Sequence, residues 1–285
     1  KDDNSSLYPV LDVIKNEEAI SSVKNNPELL NNFLSIIVYL CQNSDEYRKA
    51  RLSTWFTTIC QNLLSKGTND QCLRQIYVTL NYLRDESKKL SKKQQLQLSL
   101  PIDRMITHLN TENARGPILA LLVDRAELNP DELNNQKLIN KLFDIAENKN
   151  LKATIVLMKI ASSENLARNV FGDGNWLQND LPETVDTIRL FLVIFEHTEL
   201  RSEIARNQNF IPFLKAIIQN LHSSGVVTIV CTIIRRLDKQ VLNQKFVKSM
   251  SEQGLISTFI ETAKNTDDET KVSSHSLLLF LNTLA

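Results

Sequence analysis

Seven apolar, helix-periodic segments recur along this chain at intervals of about forty residues, and that repeat constrains the fold more than any other feature. They read PELLNNFLSIIVYL from Pro27, DQCLRQIYVTLNYL from Asp70, ARGPILALLVDRA from Ala114 and LKATIVLMKIASS from Leu151. The last three are VDTIRLFLVIFEHT from Val185, GVVTIVCTIIRRLD from Gly225 and VSSHSLLLFLNTLA from Val272. Successive starts lie 43, 44, 37, 34, 40 and 47 residues apart. A helix with one apolar face needs a neighbour to cover it, and a period in this range marks arrays in which each unit buries that face against the next. The repeat therefore predicts an all-α solenoid of about six to seven units, with a binding surface as its working part.

Composition narrows the partner classes. Six glycines and seven prolines in 285 residues are too few for an all-β fold, which needs a turn residue every 8–12 positions. Thirty-three basic and 33 acidic side chains cancel to a net charge of zero. Affinity for nucleic acid comes mainly from neutralising phosphates, so no nucleic-acid partner is expected. No apolar run approaches the length of a transmembrane helix, so no transmembrane segment is expected either. Cys41, Cys60, Cys72 and Cys231 sit inside apolar helical stretches, with no C-x-x-C pair and no histidine at metal-ligand spacing. They read as buried free thiols of a reducing compartment, which predicts a cytoplasmic protein. Lys1 is not an initiator methionine, so residues are expected upstream, and a cleaved targeting signal stays open.

Helix punctuation supports this segmentation. Pro27, Pro130, Pro182 and Pro212 stand at or near the starts of apolar-periodic stretches, where a missing amide hydrogen costs nothing. Pro101 interrupts Leu96 to Met105 and splits that region into two helices. Residues 1–26 are polar with a weak apolar pattern and read as an N-terminal helical cap, leaving 27–285 as the repeat array. The last apolar segment ends at Ala285 with no cap behind it, so the expectation is a fragment of a longer chain or an end covered by a partner.

Three stretches resemble the armadillo repeat. Gln253-Gly254-Leu255-Ile256 opens a helix like the family's second helix, Asn265 to Glu269 looks like the polar turn that follows, and Val272 to Ala285 like the third helix. Phe210-Ile211-Pro212-Phe213-Leu214 through Leu237-Asp238 repeats that grammar. A polar turn and a short helix with a basic residue follow each long helix, as in Asn43 to Arg48, Ser163 to Arg168 and His197 to Arg201. The resemblance covers roughly residues 27–285, is strongest beyond 185, and does not separate armadillo from HEAT arrays between 84 and 150. It implies a right-handed superhelix with a concave groove.

No enzyme constellation interrupts the repeat. There is no Gly-rich phosphate loop, no G-x-S-x-G elbow and no H-E-x-x-H, and His108, His197, His222 and His275 lie singly in different segments. No catalytic residue, metal or cofactor is expected. The Lys-rich run from Arg84 to Lys93 reads as a solvated helix face diluted by Asp85 and Glu86. The loop Asn169 to Trp176 is the most unusual local sequence, with Gly172 and Gly174 permitting sharp turns. Its Phe171 and Trp176 have two readings: an exposed aromatic anchor for a partner, or a loop tucked onto the core by its own aromatics.

The armadillo resemblance also implies a register. In that family one position near the end of each third helix points at the bound peptide, and in nuclear-import adaptors it is asparagine. Transferred here, it falls at or near Tyr39, Tyr82, Arg125, Lys159, Arg236 and Thr283, with Asn81 and Asn282 one residue away. The expected groove is therefore aromatic and basic, suited to an acidic extended or helical segment of a protein partner. The function this implies is a non-enzymatic scaffold or adaptor. The resemblance also admits an armadillo-type co-chaperone, either a myosin-directed chaperone or a nucleotide exchange factor for a heat-shock ATPase, or a regulator of a small GTPase.

Overall fold

Asparagine opens helix after helix in this chain. Asn26 Oδ1 accepts from the amides of Glu28 and Leu29, each at 3.1 Å, with Pro27 supplying the first helical residue. Asn135 does the same for Lys137 and Leu138, and Asn150 and Asn243 each receive one amide, from Ala153 and Phe246. A side-chain oxygen here takes up amides that have no partner inside the helix, an effect worth about 1 kcal/mol per cap.

The computed structural model describes residues 17–43, 56, 59–64, 68–88, 100–148, 150–177, 185–221, 224–238, 240–264, 275 and 278. Those residues contain no strand. The chain forms two compact units, Lys1–Arg125 and Ala126–Ala285. The first holds α1 (Glu17–Lys24), α2 (Pro27–Gln42), α3 (Asp70–Lys88), α4 (Ile102–His108) and most of α5 (Glu112–Leu128). The second continues with a 3-10 turn (Pro130–Leu133), α6 (Gln136–Glu147), α7 (Leu151–Ala161), α8 (Glu164–Phe171) and a second 3-10 turn (Asn175–Leu177). It ends with α9 (Val185–Glu196), α10 (Thr198–Arg206), α11 (Phe210–Leu221), α12 (Ser224–Arg235), α13 (Gln244–Glu252) and α14 (Leu255–Lys264).

Six of the seven apolar segments start within two residues of a helix start. The seventh, from Val272, lies outside the described residues except for the helical positions 275 and 278, and Thr283 and the polar turn 265–269 lie outside them too. Of the expected cap, α1 is described and packs on α2. One start is displaced. The stretch opened by Pro130 is a 3-10 turn, and the α-helix begins only at Gln136, where Asn135 captures its first amides.

In the first unit α2 packs against α3. The buried face of α2 carries Leu30, Phe33, Leu34, Ile37 and Cys41, a helical spacing that turns one stripe inward. That of α3 carries Cys72, Leu73, Ile76, Tyr77, Leu80 and Leu83. In the second unit α7 lies among α6, α8 and α9 and buries Ala153, Val156, Leu157, Ile160 and Ala161. Farther along, α10 and α12 both meet α11, and α14 packs on α11 and α13.

An aromatic seam runs through that second core. Phe143 of α6 stacks on Trp176 at 5.7 Å, Trp176 meets Phe213 of α11 edge-on at 6.1 Å, and Phe213 meets Phe191 of α9 at 5.0 Å. Phe191 continues to Phe195 and Phe210, and Phe210 to Phe246 of α13. This decides the reading of the Asn169–Trp176 loop. Phe171 and Trp176 are buried core residues, not an exposed anchor, and the indole Nε1 donates to the Phe171 carbonyl at 3.1 Å. Gly172 and Gly174 turn the chain at φ 59° and 72°, and a Cβ on Gly174 would lie 2.5 Å from Asn207 Nδ2.

Trp176→Ala should therefore cost about 3–5 kcal/mol of unfolding free energy, as emptied aromatic sites do. Gly174→Ala should cost at least about 1–2 kcal/mol through its left-handed backbone. Urea unfolding followed by circular dichroism measures both, and an unchanged midpoint for Trp176→Ala would show that the ring is not part of the core.

Candidate functional site

Backbone carbonyls in this chain, several of them at helix ends, accept hydrogen bonds from side chains about one sequence period away. In the first unit Asn69 Nδ2 reaches the Asn25 carbonyl, 44 residues back, at 3.5 Å. Asn81 donates to the Pro117 carbonyl and Arg84 to that of Ala120, each across 36 residues, at 2.8 and 3.1 Å. Arg104 bonds the Gln61 carbonyl, 43 residues away. In the second unit His197 Nε2 donates to Ala161 O at 2.8 Å across 36 residues, and Asn207 to Asp173 O at 2.8 Å across 34. Lys215 donates to Gln253 O at 3.2 Å across 38.

The basic residue of the short helices works locally. Arg201 of α10 donates through Nε to Phe195 O at 2.8 Å and through Nη2 to Glu196 O at 3.1 Å, with its guanidinium 5.4 Å above the Phe195 ring. It closes the end of the preceding helix α9. Arg115 likewise closes α4 by donating to Leu109 O at 3.1 Å. Arg168 differs: it pairs with Glu203 on α10.

Against this frame of polar links, the residues expected in the groove fall into three groups. Tyr39 is exposed on α2, together with Ile36 and Leu29 on the same helix, and Tyr82 on α3 is half-buried. Arg125 is committed inside its unit, donating to the Leu100 carbonyl at 2.7 Å and lying 3.8 Å from Met105 Sδ. Lys159 and Arg236 each hold a carboxylate. Lys159 meets Glu127 at 2.6 Å and Arg236 meets Glu196 at 2.5 Å. The Arg236 pair joins the end of α12 to the end of α9. Asn81, the neighbour of the expected ladder position, is also used within the fold, bonding Tyr77 O and Pro117 O.

The partners Glu127 and Glu196 are the residues that sequence reasoning missed. Glu127, Lys159, Glu196 and Arg236 stand at the ends of α5, α7, α9 and α12, and their signs alternate. The His197–Ala161 bond ties the end of α7 to the start of α10, directly after α9. Four helix ends of the second unit are thus linked in series. In the first unit the same alternation joins Arg84 and Lys88 of α3 to Asp124 of α5, with Lys88 Nζ 2.8 Å from Asp124 Oδ1.

Groups with chemical potential lie apart from these helix ends. All four cysteines are buried free thiols, and burial pushes Cys60 well up and Cys231 up to about 11, which keeps them protonated and unreactive. Among the described residues no group of three or more His, Cys, Asp or Glu could hold a metal ion, and no helix is long and apolar enough to cross a membrane. An open cleft of about 460 Å³ lies between the loop after α8 and α10. Several of its polar walls are already engaged: Ser202 Oγ with Asp238 at 2.7 Å, Asn207 with Asp173 O, and Glu203 with Arg168.

The buried Tyr77 hydroxyl lies 3.0 Å from His108 Nδ1, a link between α3 and α4. Burial, reinforced by the Arg104 cation, lowers the His108 pKa below its ordinary 6.5, and burial raises that of Tyr77. His108 is thus held neutral while it shares a hydrogen bond with the Tyr77 hydroxyl, which keeps its own proton. The unfolded chain binds a proton to this histidine at higher pH than the folded one, so the contribution is complete above pH 6.5 and lost as pH falls through the folded value. The urea midpoint should therefore drop more steeply as pH falls below about 6.5 in the natural protein than in His108→Gln. Equal slopes would remove His108 from the pH dependence.

No protein-family model matches the chain, and no curated protein does. A solved structure described as "Computational Design of Self-Assembling Cyclic Protein Homooligomers" is similar over 95% of this chain and 98% of that chain, at 13% identity and a TM-score of 0.18. A TM-score that low carries no weight for the fold, which rests on this chain's own contacts.

Proposed function

We propose that this chain is a non-enzymatic scaffold, built as an armadillo- or HEAT-like α-solenoid, that binds an acidic extended or helical segment of a partner protein along the ends of its long helices. The observation that carries this reading is the span of its polar contacts. Apart from the Arg125 contacts, which span 20 and 25 residues, long-range side-chain links between helices recur at separations of 31–44 residues in the first unit and 32–40 in the second, close to the period of the sequence. Contacts of that span are what an array makes when each unit rests on the next. The partner-facing surface in this reading is Tyr39 and Tyr82 in the first unit and Lys159 and Arg236 in the second. The buried thiols fit a reducing compartment, and the cytoplasm is the proposed location.

Two measurements test the proposal. A compact globule of this length has a radius of gyration of about 19 Å. An extended solenoid should exceed that in small-angle scattering, and a value at or below it would overturn the solenoid. Affinity capture from the native organism with mass spectrometry should then recover a partner that Arg236→Glu loses while the melting transition stays put, since an exposed substitution costs within about 0.5 kcal/mol. Retention of every partner by that variant would remove Arg236 from the surface. Arg125→Glu is the wrong variant for this purpose, because its guanidinium holds the Leu100 carbonyl and its loss should lower stability by about 1–3 kcal/mol.

A further inference from the structure

The linked helix ends of the second unit are charge-neutral because the chain supplies both signs. The side chains of Lys159 and Glu127 are 32% and 49% exposed, and those of Arg236 and Glu196 are 46% and 61% exposed. Arg84 and Asp124 of the first unit are only 16% and 13% exposed. This difference divides the pairs by role. Two hydrated side chains gain little by meeting, so an open pair is easily exchanged. Separating an enclosed pair leaves charge without solvent, so it stays. His197 meanwhile fixes the end of α7 to the start of α10 through the Ala161 carbonyl, so the backbone carrying the cation of α7 stays in place while a glutamate swings away.

We propose that Glu127 and Glu196 act as built-in competitors, occupying Lys159 and Arg236 in the free protein and giving way to carboxylates of an acidic partner segment. The inference rests on the reading of these helix ends as the partner surface, and it adds how that surface is held closed. A partner must bring carboxylates placed to replace both glutamates. Scattered negative charge gains nothing over the pairs already made, so the glutamates raise selectivity at the expense of affinity.

The test uses a fluorescein-labelled oligoglutamate peptide and fluorescence anisotropy on the full chain at low salt. Glu127→Gln/Glu196→Gln should bind it about two- to tenfold more tightly than the natural protein. Glu164→Gln/Glu261→Gln, which removes the same charge from exposed positions elsewhere, should leave affinity unchanged. Lys159→Gln/Arg236→Gln should lose binding, with thermal melts confirming that each variant folds. Equal tightening in both glutamate variants would mean net charge alone acts and would overturn the inference. Equal affinity of the natural protein and Glu127→Gln/Glu196→Gln would overturn it too, while leaving the acidic-segment reading standing. Absence of binding by every form would instead sink the acidic-segment reading itself.

Discussion

An α-helix leaves its last four carbonyls without donors, and in a chain of helices seven to nineteen residues long that shortfall recurs every few turns. Here it is met in part from outside each helix. His197 closes α7 from 36 residues away, and Arg201 closes α9 from the next short helix. Lys215 reaches the Gln253 carbonyl at the end of α13 from 38 residues away. Such donors hold position only if the neighbouring helix is packed in place, so polar satisfaction and apolar burial require one another. The Phe143–Trp176–Phe213–Phe191 seam supplies the apolar half of that requirement in the second unit.

The same coupling commits many conspicuous polar residues to bonds within the fold. Arg125, Asn81 and Asn207 all donate to carbonyls of their own chain. The nearly enclosed Arg84–Asp124 pair belongs with them, since opening it would strand a charge. In the proposed scaffold, the outer layer is what faces a partner: the Tyr39 ring and the open ion pairs at the ends of α7 and α12.

Much of this layout was legible in the sequence because it is local. Pro27 marks the start of α2, and the period of the apolar runs marks the helices themselves. What could not be read is whatever depends on residues a full period away. The Asn169–Trp176 loop is ambiguous in sequence, since the rings that enclose Trp176 come from Phe143 and Phe213 on either side of it along the chain. Lys159 and Arg236 were legible as cations near helix ends, but their partners Glu127 and Glu196 stand 32 and 40 residues distant. The alternation of sign at the ends of α5, α7, α9 and α12 was a signal that could have found them.

A row of alternating charge has little field beyond its own width, because opposite neighbours cancel and salt screens the remainder over about 10 Å at 0.1 M. Recognition on such a row depends on register more than on net charge. Packed helices lie about 8–10 Å apart, so Lys159 and Arg236, with α9 between their helices, stand about 16–20 Å apart in the proposed array. An extended segment advances about 3.3 Å per residue, so two carboxylates five to six residues apart would meet both cations at once. Peptides with paired glutamates at that spacing should bind more tightly than isomers of identical composition with the glutamates adjacent. The comparison holds charge constant, so any difference in dissociation constant reports geometry. Equal binding by both isomers would mean that the surface reads charge without register.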